Sequence, residues 1–452
     1  MAQNNKFNYK NLEELQRDIN RLGLDIPVSS NVNILGTPVS IGTQVVGNRL
    51  AINPMEGCDG TLEGKPSELT RRRYERFAAG GAGLLWFEAT AVVNEGRANP
   101  RQLLLTAETK ASLATMLAQS LTAAKEAGLE RPYTVLQLTH SGRNSRPGNA
   151  AAPIVAAANP YLDTKFSSVR TMSDEEMEQL EDAFVVAAEM AAEMGFDAVD
   201  IKSCHGYLLA ELLGAYTRAG RYGGSFENRI RLLCNIVDKI KEKLGDKITI
   251  AVRLGVFDQV AHPYGWGVDQ EDYHKPDYTE PVQLMKILWD KGVKLFNISM
   301  GNPYYNPHVT RPYDTGGYIS PKHQLEGVAQ LLNGARVMQA AVPEAVIMGI
   351  GLSWLRQLAP NVAAGCIEHG WFKLAGFGRQ AFAYPNFAND LLNKGEFDSS
   401  KVCLACGKCT TIMRDGGCSG CVPRDATVYV PIYQTGREGK PSAESDRVAE
   451  HI

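Results

Sequence analysis

Short apolar segments alternate with longer amphipathic segments along most of the chain. Each apolar run is bounded by glycine, continues into a polar loop, and is followed by a stretch of helical periodicity that ends near another glycine. Such a repeat is typical of strands and helices that follow one another in an α/β fold. The predicted strands cover residues 50–54, 83–93, 133–139, 198–202, 248–254, 295–299, 346–349 and 372–376.

Helical patterns follow these strands, and one carries a clear start signal. Ser173 is followed three residues later by Glu176, which is the spacing of a capping box. Eight alternations favour a (β/α)8 TIM barrel, and a six-stranded Rossmann-type sheet with additional elements is the alternative. We expect an N-terminal extension (1–45), the barrel (46–395), and a small C-terminal cysteine-rich module with its tail (396–452).

Composition and charge narrow the classes of function. The chain has 452 residues, 44% hydrophobic residues, and 47 basic against 50 acidic side chains, so it has material for a large core and no basic excess. We therefore expect no nucleic-acid partner. No secretory leader or membrane-spanning run is evident in the sequence, and we expect a cytoplasmic protein that forms a homo-oligomer.

The ends of the last two predicted strands are rich in glycine. Gly349 and Gly351 follow the seventh strand, and Gly378 with Arg379 follows the eighth, at the start of a helix. Glycines let backbone N–H groups approach an anion, and arginine adds a forked donor. The segments predict a phosphate site at the carboxyl end of the barrel, although tight turns alone would also require glycine.

Two polar side chains fall in otherwise apolar strands, and their burial needs a partner. Gln137 lies in the third predicted strand and Arg253 in the fifth. A buried amide or guanidinium is costly unless it is hydrogen-bonded. They would satisfy each other or the polar edge of a bound heteroaromatic cofactor.

Several motifs resemble the Old Yellow Enzyme family of flavin oxidoreductases, in the order that the family has them. They are NPMEG (53–57), FEATAV (87–92), QLTHSGR (137–143), AVDIKSCHGYLL (198–209), YGGSFENRIR (222–231), AVRLG (251–255) and AGFGRQ (375–380). The resemblance implies non-covalent FMN in a barrel. It also implies the reduction of an alkene conjugated to a carbonyl group, as in an enoate, enone or enoyl thioester.

The resemblance also implies roles for individual residues. Pro54, Met55 and Ala89 would lie along the flavin, Gln137 at its pyrimidine edge, and Arg253 near N1 and O2. The phosphate would be held by the residues of the two glycine-rich strand ends, which are Gly349, Gly351, Gly378 and Arg379.

Tyr207 matches the proton donor of the family. A phenol suits that role, since a weak acid is needed to protonate the α carbon on the face opposite the hydride donor. Lys202 and His205 occupy the positions of the usual His/His or His/Asn pair that anchors the substrate carbonyl. The lysine is a departure from that pattern: it would bind a carboxylate or a thioester carbonyl, or face FMN instead, and the substrate class is left open. Glu56 is a second departure, since relatives often have Cys, Thr or His near flavin O4, and it implies an altered redox potential.

Five of the nine cysteines crowd into one short segment. Cys403, Cys406 and Cys409 follow one another at x2 spacing, and eleven residues separate Cys409 from Cys421. Four such thiolates suit an iron–sulfur cluster or zinc, and the spacing does not choose between them. Resemblance to the iron–sulfur branch of the family, with 2,4-dienoyl-CoA reductase and trimethylamine dehydrogenase, implies a [4Fe-4S] cluster on these four cysteines. Cys418 is the alternative fourth ligand.

The electron donor is left open by the sequence. Larger relatives of that branch continue into nucleotide-binding domains, whereas we expect none in a chain that ends about fifty residues beyond Cys403. Electrons would come from a separate ferredoxin or flavoprotein, or from NAD(P)H at the barrel mouth. An amine dehydrogenase or demethylase and a non-catalytic electron-transfer subunit are the alternative functions.

Overall fold

A closed parallel barrel of eight strands forms the centre of the protein, for which we describe a computed structural model over residues 6–439. The barrel order is β3-β4-β5-β8-β9-β10-β11-β12, and each neighbouring pair is parallel. This confirms the (β/α)8 barrel and excludes the Rossmann-type alternative. The strands are β1 (Val39–Ile41), β2 (Gln44–Val46), β3 (Leu50–Ile52), β4 (Leu84–Ala91), β5 (Tyr133–Thr139), β6 (Ile154–Val155), β7 (Arg170–Thr171), β8 (Ala198–Ile201), β9 (Thr249–Gly255), β10 (Leu295–Ser299), β11 (Val346–Gly349) and β12 (Leu374–Phe377).

Helices surround the barrel and follow its strands in the expected order. The capping box at the start of α4 is formed, since Ser173 and Glu176 each bind the other's backbone N–H. The helices are α1 (Leu12–Arg21), α2 (Glu68–Ala78), α3 (Ala107–Glu126), α4 (Asp174–Met194), α5 (Leu208–Leu213), α6 (Phe226–Arg229), α7 (Arg231–Leu244), α8 (Thr279–Asp290), α9 (Pro307–Thr310), α10 (Gln324–Ala341), α11 (Ala359–Glu368), α12 (Arg379–Ala383), α13 (Phe387–Lys394), α14 (Lys408–Arg414) and α15 (Ala426–Arg437).

An antiparallel hairpin, β1–β2, precedes the first barrel strand. Its Val39, Ile41 and Val46 belong to the same buried cluster as barrel residues such as Trp86 and Met348. The hairpin therefore closes one end of the barrel interior with apolar side chains. The polar side chains at the carboxyl ends of the strands remain available to form a site.

The cysteine-rich segment packs against the barrel through α14 and α15. Cys418 and Tyr429 share a buried apolar cluster with Leu69 of α2. Arg72, also on α2, binds both oxygens of Asp425 at 2.8 and 3.0 Å. Residues 440–452, which include the expected tail, lie outside the described residues.

Asp314, in the loop after β10, links three distant parts of the chain. Its carboxylate accepts hydrogen bonds from the Phe7 N–H at 3.1 Å, the Trp354 indole at 2.7 Å and Arg356 at 2.6 Å. Its own N–H donates to the Ala405 carbonyl at 3.0 Å. The N-terminal extension, the barrel loops and the cysteine module are thereby held together. Among residues 6–439, no helix has the length and apolarity that crossing a bilayer requires.

Candidate active site

A pocket opens at the carboxyl end of the barrel, where most of the predicted site residues meet. Its volume is about 230 Å³, just below the roughly 300 to 1,000 Å³ of common ligand pockets. Predicted residues in its wall are Pro54, Met55, Glu56, Gln137, Lys202, His205, Tyr207, Arg253, Gly351, Gly378 and Arg379. The structure thus gathers eleven of the predicted residues around one space.

Gly349 and Ala89 lie outside this wall. A Cβ atom on Gly349 would come within 2.3 Å of the Phe372 ring, so packing behind the strand accounts for this glycine. Ala89 is buried in β4, where the register with β5 shifts between Phe87 and Thr90. Such a bulge changes which side chains face inward.

Buried Asp200 organises the floor of the pocket. Its carboxylate accepts from Gln137 at 2.6 Å, from the Trp86 indole at 2.9 Å, and from the Arg253 backbone N–H at 2.5 Å. Burial raises the pKa of Asp200 to about 6, and these donors oppose the rise. Because the Gln137 NH₂ group is engaged, its oxygen remains available as an acceptor toward the pocket.

The Arg253 guanidinium is buried beside the pocket with few partners. Its Nη1 lies 3.5 Å from the Pro54 carbonyl, and its Nε has no hydrogen-bond partner within residues 6–439. A buried cation with unused donors is costly unless an acceptor reaches it. The arrangement therefore suits a ligand that presents an electron-rich edge.

A second group of cations lies along the pocket near the glycine-rich turns. Arg379 donates to the Pro312 carbonyl at 2.6 Å, and Arg311 donates to the Thr410 hydroxyl at 3.0 Å. Burial and the neighbouring Arg379 lower the pKa of Arg311 to about 10. Gly351 has a φ of +94°, which favours glycine, and a Cβ atom on Gly378 would meet the Met55 sulfur at 2.8 Å. The close approach and the two arginines suit a phosphate group.

Tyr207 lies at the centre of a polar cluster on the other side of the pocket. Its hydroxyl donates to Glu56 Oε1 at 2.7 Å and lies 3.2 Å from the Tyr304 hydroxyl. Lys202 Nζ lies 3.4 Å from the same Glu56 oxygen and 3.5 Å from the centroid of the Tyr207 ring. Burial and Glu56 hold the pKa of Tyr207 well above its usual value, so the phenol keeps its proton at rest.

His205 is fixed in a strained loop after β8. Its φ is +65°, a conformation that costs a non-glycine residue about 1 to 3 kcal/mol. Its Nε2 lies 2.7 Å from the Ser299 hydroxyl at the end of β10. Gly206 follows with φ +67°, and a Cβ atom there would meet the Asn302 side chain at 2.2 Å. Burial and the nearby cations hold the pKa of His205 well below its usual value, so the imidazole is neutral.

Four of the clustered cysteines line a second cavity, next to the first. Cys403, Cys406, Cys409 and Cys421 all form its wall, whereas Cys418 packs in the apolar cluster with Leu69 and Tyr429. In the described part of the chain, no group of three or more His, Cys, Asp or Glu side chains is arranged to hold a metal ion. Cys409 lines both cavities.

Two residues of this site are not identified by the sequence patterns. Asp200 was detectable as a single charge inside the apolar run of β8, but its partners come from β4, β5 and β9. Arg311 follows a polar loop after β10 and carries no local signal of its position. Tertiary structure alone brings Arg311 beside Arg379 and Cys409.

A pocket at the carboxyl end of a (β/α)8 barrel is the usual place of an active site, and comparison with known proteins gives the class of this one. Residues 35–272 match the model of the NADH:flavin oxidoreductase / NADH oxidase family, which is just over half of the chain. The protein belongs to this family and is a flavin-dependent oxidoreductase. The resemblance to Old Yellow Enzyme that the motifs indicated is confirmed.

Similar proteins include reductases of different lengths. The NADPH dehydrogenase of Geobacillus sp. (strain WCH70) is 33% identical over 273 residues, which cover 59% of this chain and 73% of that protein. The cinnamate reductase of Clostridium sporogenes is 26% identical over 420 residues, or 90% of this chain and 58% of that protein. A solved 2-naphthoyl-CoA reductase has a TM-score of 0.70 at 22% identity, with 91% of this chain and 58% of that chain covered. The chain thus spans little more than half the length of the latter two proteins.

Proposed function

We propose that the protein is an FMN-dependent ene-reductase acting on an alkene conjugated to a carbonyl group. The observation that carries the proposal is the convergence of Gln137, Arg253, the glycine-rich strand ends and a buried phenol on one pocket. Membership in the family supports the use of a flavin. The similarity to a cinnamate reductase over 90% of the chain supports the substrate class.

The residues present fit an FMN molecule. The unused Nε donor of Arg253 and the free oxygen of Gln137 provide a donor and an acceptor for a flavin ring edge. Gly351, Gly378 and Arg379 would hold the phosphate, where a larger side chain at position 378 would collide with Met55. When bound, the flavin supplies the hydride that is added to the β carbon of the alkene.

Tyr207 would then protonate the α carbon from the other face. Its phenol is protonated at rest because burial and Glu56 raise its pKa. The neutral imidazole of His205 and the ammonium of Lys202 face the same pocket and would hydrogen-bond the substrate carbonyl, which polarises the double bond. Positioned acids of this kind contribute about 10² to 10⁴ in rate.

Charge in the pocket favours an acyl substrate over an amine. Lys202, Arg253, Arg311 and Arg379 line the pocket, and Glu56 is the one carboxylate among the residues of its wall. FMN would engage the arginines of this set, and Lys202 remains beside Tyr207, where it would attract an enoate carboxylate or a thioester carbonyl and repel a cationic amine. We therefore prefer the ene-reductase to the amine dehydrogenase.

We also propose that Cys403, Cys406, Cys409 and Cys421 bind a [4Fe-4S] cluster that relays electrons to the flavin. The four thiols line one cavity, and the resemblance to the iron–sulfur branch of the family favours a cluster over zinc there. Cys409 lies between the two cavities and supports a short route. The donor would be a separate ferredoxin or flavoprotein, with direct reduction by NAD(P)H as the other route.

Replacement of Tyr207 tests the ene-reductase proposal. Anaerobically reduced wild-type protein and Tyr207→Phe are mixed with cinnamate or 2-cyclohexenone, and flavin reoxidation and saturated product are measured. We expect the variant to lose about 10²-fold or more of its rate while FMN affinity is unchanged. Tyr161→Phe, at a residue 43% exposed, is the matched control. Full turnover by Tyr207→Phe would refute the acid assignment, and an inert wild-type protein would contradict alkene reduction.

A further inference from the structure

Tyr207 has little access to solvent for a group that must give up a proton in every turnover. Its residue is 2% exposed, and among the described residues its hydroxyl contacts Glu56 and Tyr304. Glu56 has the shorter contact of the two, at 2.7 Å against 3.2 Å. The side chain of Glu56 is 16% exposed.

The backbone holds Glu56 firmly beside the phenol. The N–H of Gly57, the next residue, donates to Glu88 Oε2 at 2.9 Å, and the Gly57 carbonyl accepts from the Ser419 N–H at 2.5 Å. Barrel and cysteine module thus fix the loop from two sides. Side chains held by such supports keep the geometry that proton transfer needs.

We propose that Glu56 is a proton relay, which returns a proton to Tyr207 after each turnover. The proposal rests on the proposed function, because it requires Tyr207 to act as the acid. It gives Glu56 a function beyond the tuning of the flavin that the sequence implied.

The transfer balances in three steps. The Tyr207 O–H bond breaks as the electron pair on the substrate α carbon forms the new C–H bond, which leaves a phenolate. The Glu56 carboxylate takes up a proton from solvent and passes it across the 2.7 Å contact, which restores the phenol because a phenolate is a stronger base than a carboxylate. The carboxylate is thereby regenerated, and no oxidant or reductant is consumed.

Lys202 assists both charged states of this sequence. Its ammonium lies 3.4 Å from Glu56 and 3.5 Å from the centroid of the Tyr207 ring. It therefore faces a negative charge whether the charge resides on the carboxylate or on the phenolate. A cation that serves both states lowers the cost of moving the proton between them.

Tyr304 offers a competing route. It is 37% exposed, and its hydroxyl lies 3.2 Å from that of Tyr207. A carboxyl group is a much stronger acid than a phenol, so a solvent proton taken up by Glu56 passes fully to a phenolate, whereas transfer from one phenol to another gains little. Glu56 is thus the better relay between solvent and Tyr207.

The experiment compares the first turnover with the later ones. FMN-loaded wild-type protein, Glu56→Gln, Glu56→Asp and Tyr304→Phe are supplied with excess chemical reductant and cinnamate or 2-cyclohexenone in a stopped-flow instrument. Glu56→Gln should slow at least tenfold between its first and its later turnovers, since Tyr207 begins protonated, whereas the wild-type protein should show no such difference. Near-ultraviolet tyrosinate absorbance should accumulate at the same time. Glu56→Asp and added formate should partly restore the later turnovers.

Controls separate this inference from the proposed function. Glu13→Gln, on the exposed face of α1, should behave as wild type, and Glu56→Gln in a Tyr207→Phe background should cause no further loss. Inactive wild-type protein would contradict the proposed function itself. Active wild-type protein with a Glu56→Gln variant that sustains its first rate would refute the relay. A slowed second turnover confined to Tyr304→Phe would reassign it to Tyr304.

Discussion

A buried ionic cluster beneath the Glu56 loop is expected to contribute strongly to the free energy of unfolding. Arg73 of α2 binds both Asp59 and Glu88, and the exposed fractions of the three side chains are 4%, 0% and 2%. Burial raises the pKa of Glu88 to about 7, and Arg73 opposes this rise. Removal of one partner from a buried ion pair costs about 3 to 5 kcal/mol, because an uncompensated charge remains.

We therefore expect Arg73→Met to lower the free energy of unfolding by about 3 to 5 kcal/mol at pH 8, a large part of the roughly 5 to 15 kcal/mol of a typical domain. The pH dependence follows from Glu88. Its folded pKa of about 7 lies above the unfolded value of about 4.3, so the folded state holds more protons between them and stability falls as pH rises. Without Arg73 the free energy of unfolding falls more steeply with pH. The destabilisation caused by Arg73→Met should therefore be smaller near pH 5.5, where Glu88 is neutral.

Urea unfolding followed by tryptophan fluorescence at the two pH values measures this effect. Arg21→Met is the control, because Arg21 is 57% exposed and its pairing with Asp18 lies at the surface, where no measurable loss is expected. FMN affinity should fall as well, because Glu88 also anchors the Gly57 N–H. A loss below about 1 kcal/mol at pH 8, or a larger loss at pH 5.5, would refute the reasoning.

Two further predictions concern the cofactors. Cys421→Ser should lose most of the bound iron and acid-labile sulfide of anaerobically prepared protein, whereas Cys418→Ser should retain them, because Cys418 lies in the apolar cluster and outside the cysteine cavity; equal losses, or zinc without iron, would contradict the cluster assignment. Arg253→Met should weaken FMN binding about 10- to 150-fold, since hydrogen bonds to charged groups contribute about 1.5 to 3 kcal/mol. It should also lower the flavin midpoint potential, because a cation near N1 stabilises the reduced flavin; fluorescence titration and redox titration measure the two effects, and unchanged values would contradict this role.

All eight barrel strands were predictable because each one is a short apolar run bounded by turn residues. The ends of the strands were less predictable. The first strand was expected over 50–54, but β3 ends at Ile52, because Pro54 has no backbone N–H to extend the ladder. The hairpin β1–β2 reaches Val46, one residue beyond the expected extension, and its two strands of three residues are too short for a clear periodic signal.

The site was predictable where function follows a local motif and unpredictable where it depends on packing. Tyr207 and Arg253 occupy the pocket as the motifs implied. The contact between Glu56 and Tyr207 spans 151 positions of the chain and has no local signature. Ala89, which the resemblance placed beside the flavin, stays a prediction: it does not line the pocket, and the register shift within β4 is not visible in the sequence.

The position of Asp314 has a consequence for how the protein is made. Its contacts join Phe7 to Ala405, which is synthesised about 400 residues later. At roughly 5 to 20 residues per second, some 20 to 80 s of synthesis separate the two ends of this junction. The segment that carries Phe7 therefore waits, without these partners, until Ala405 has been made.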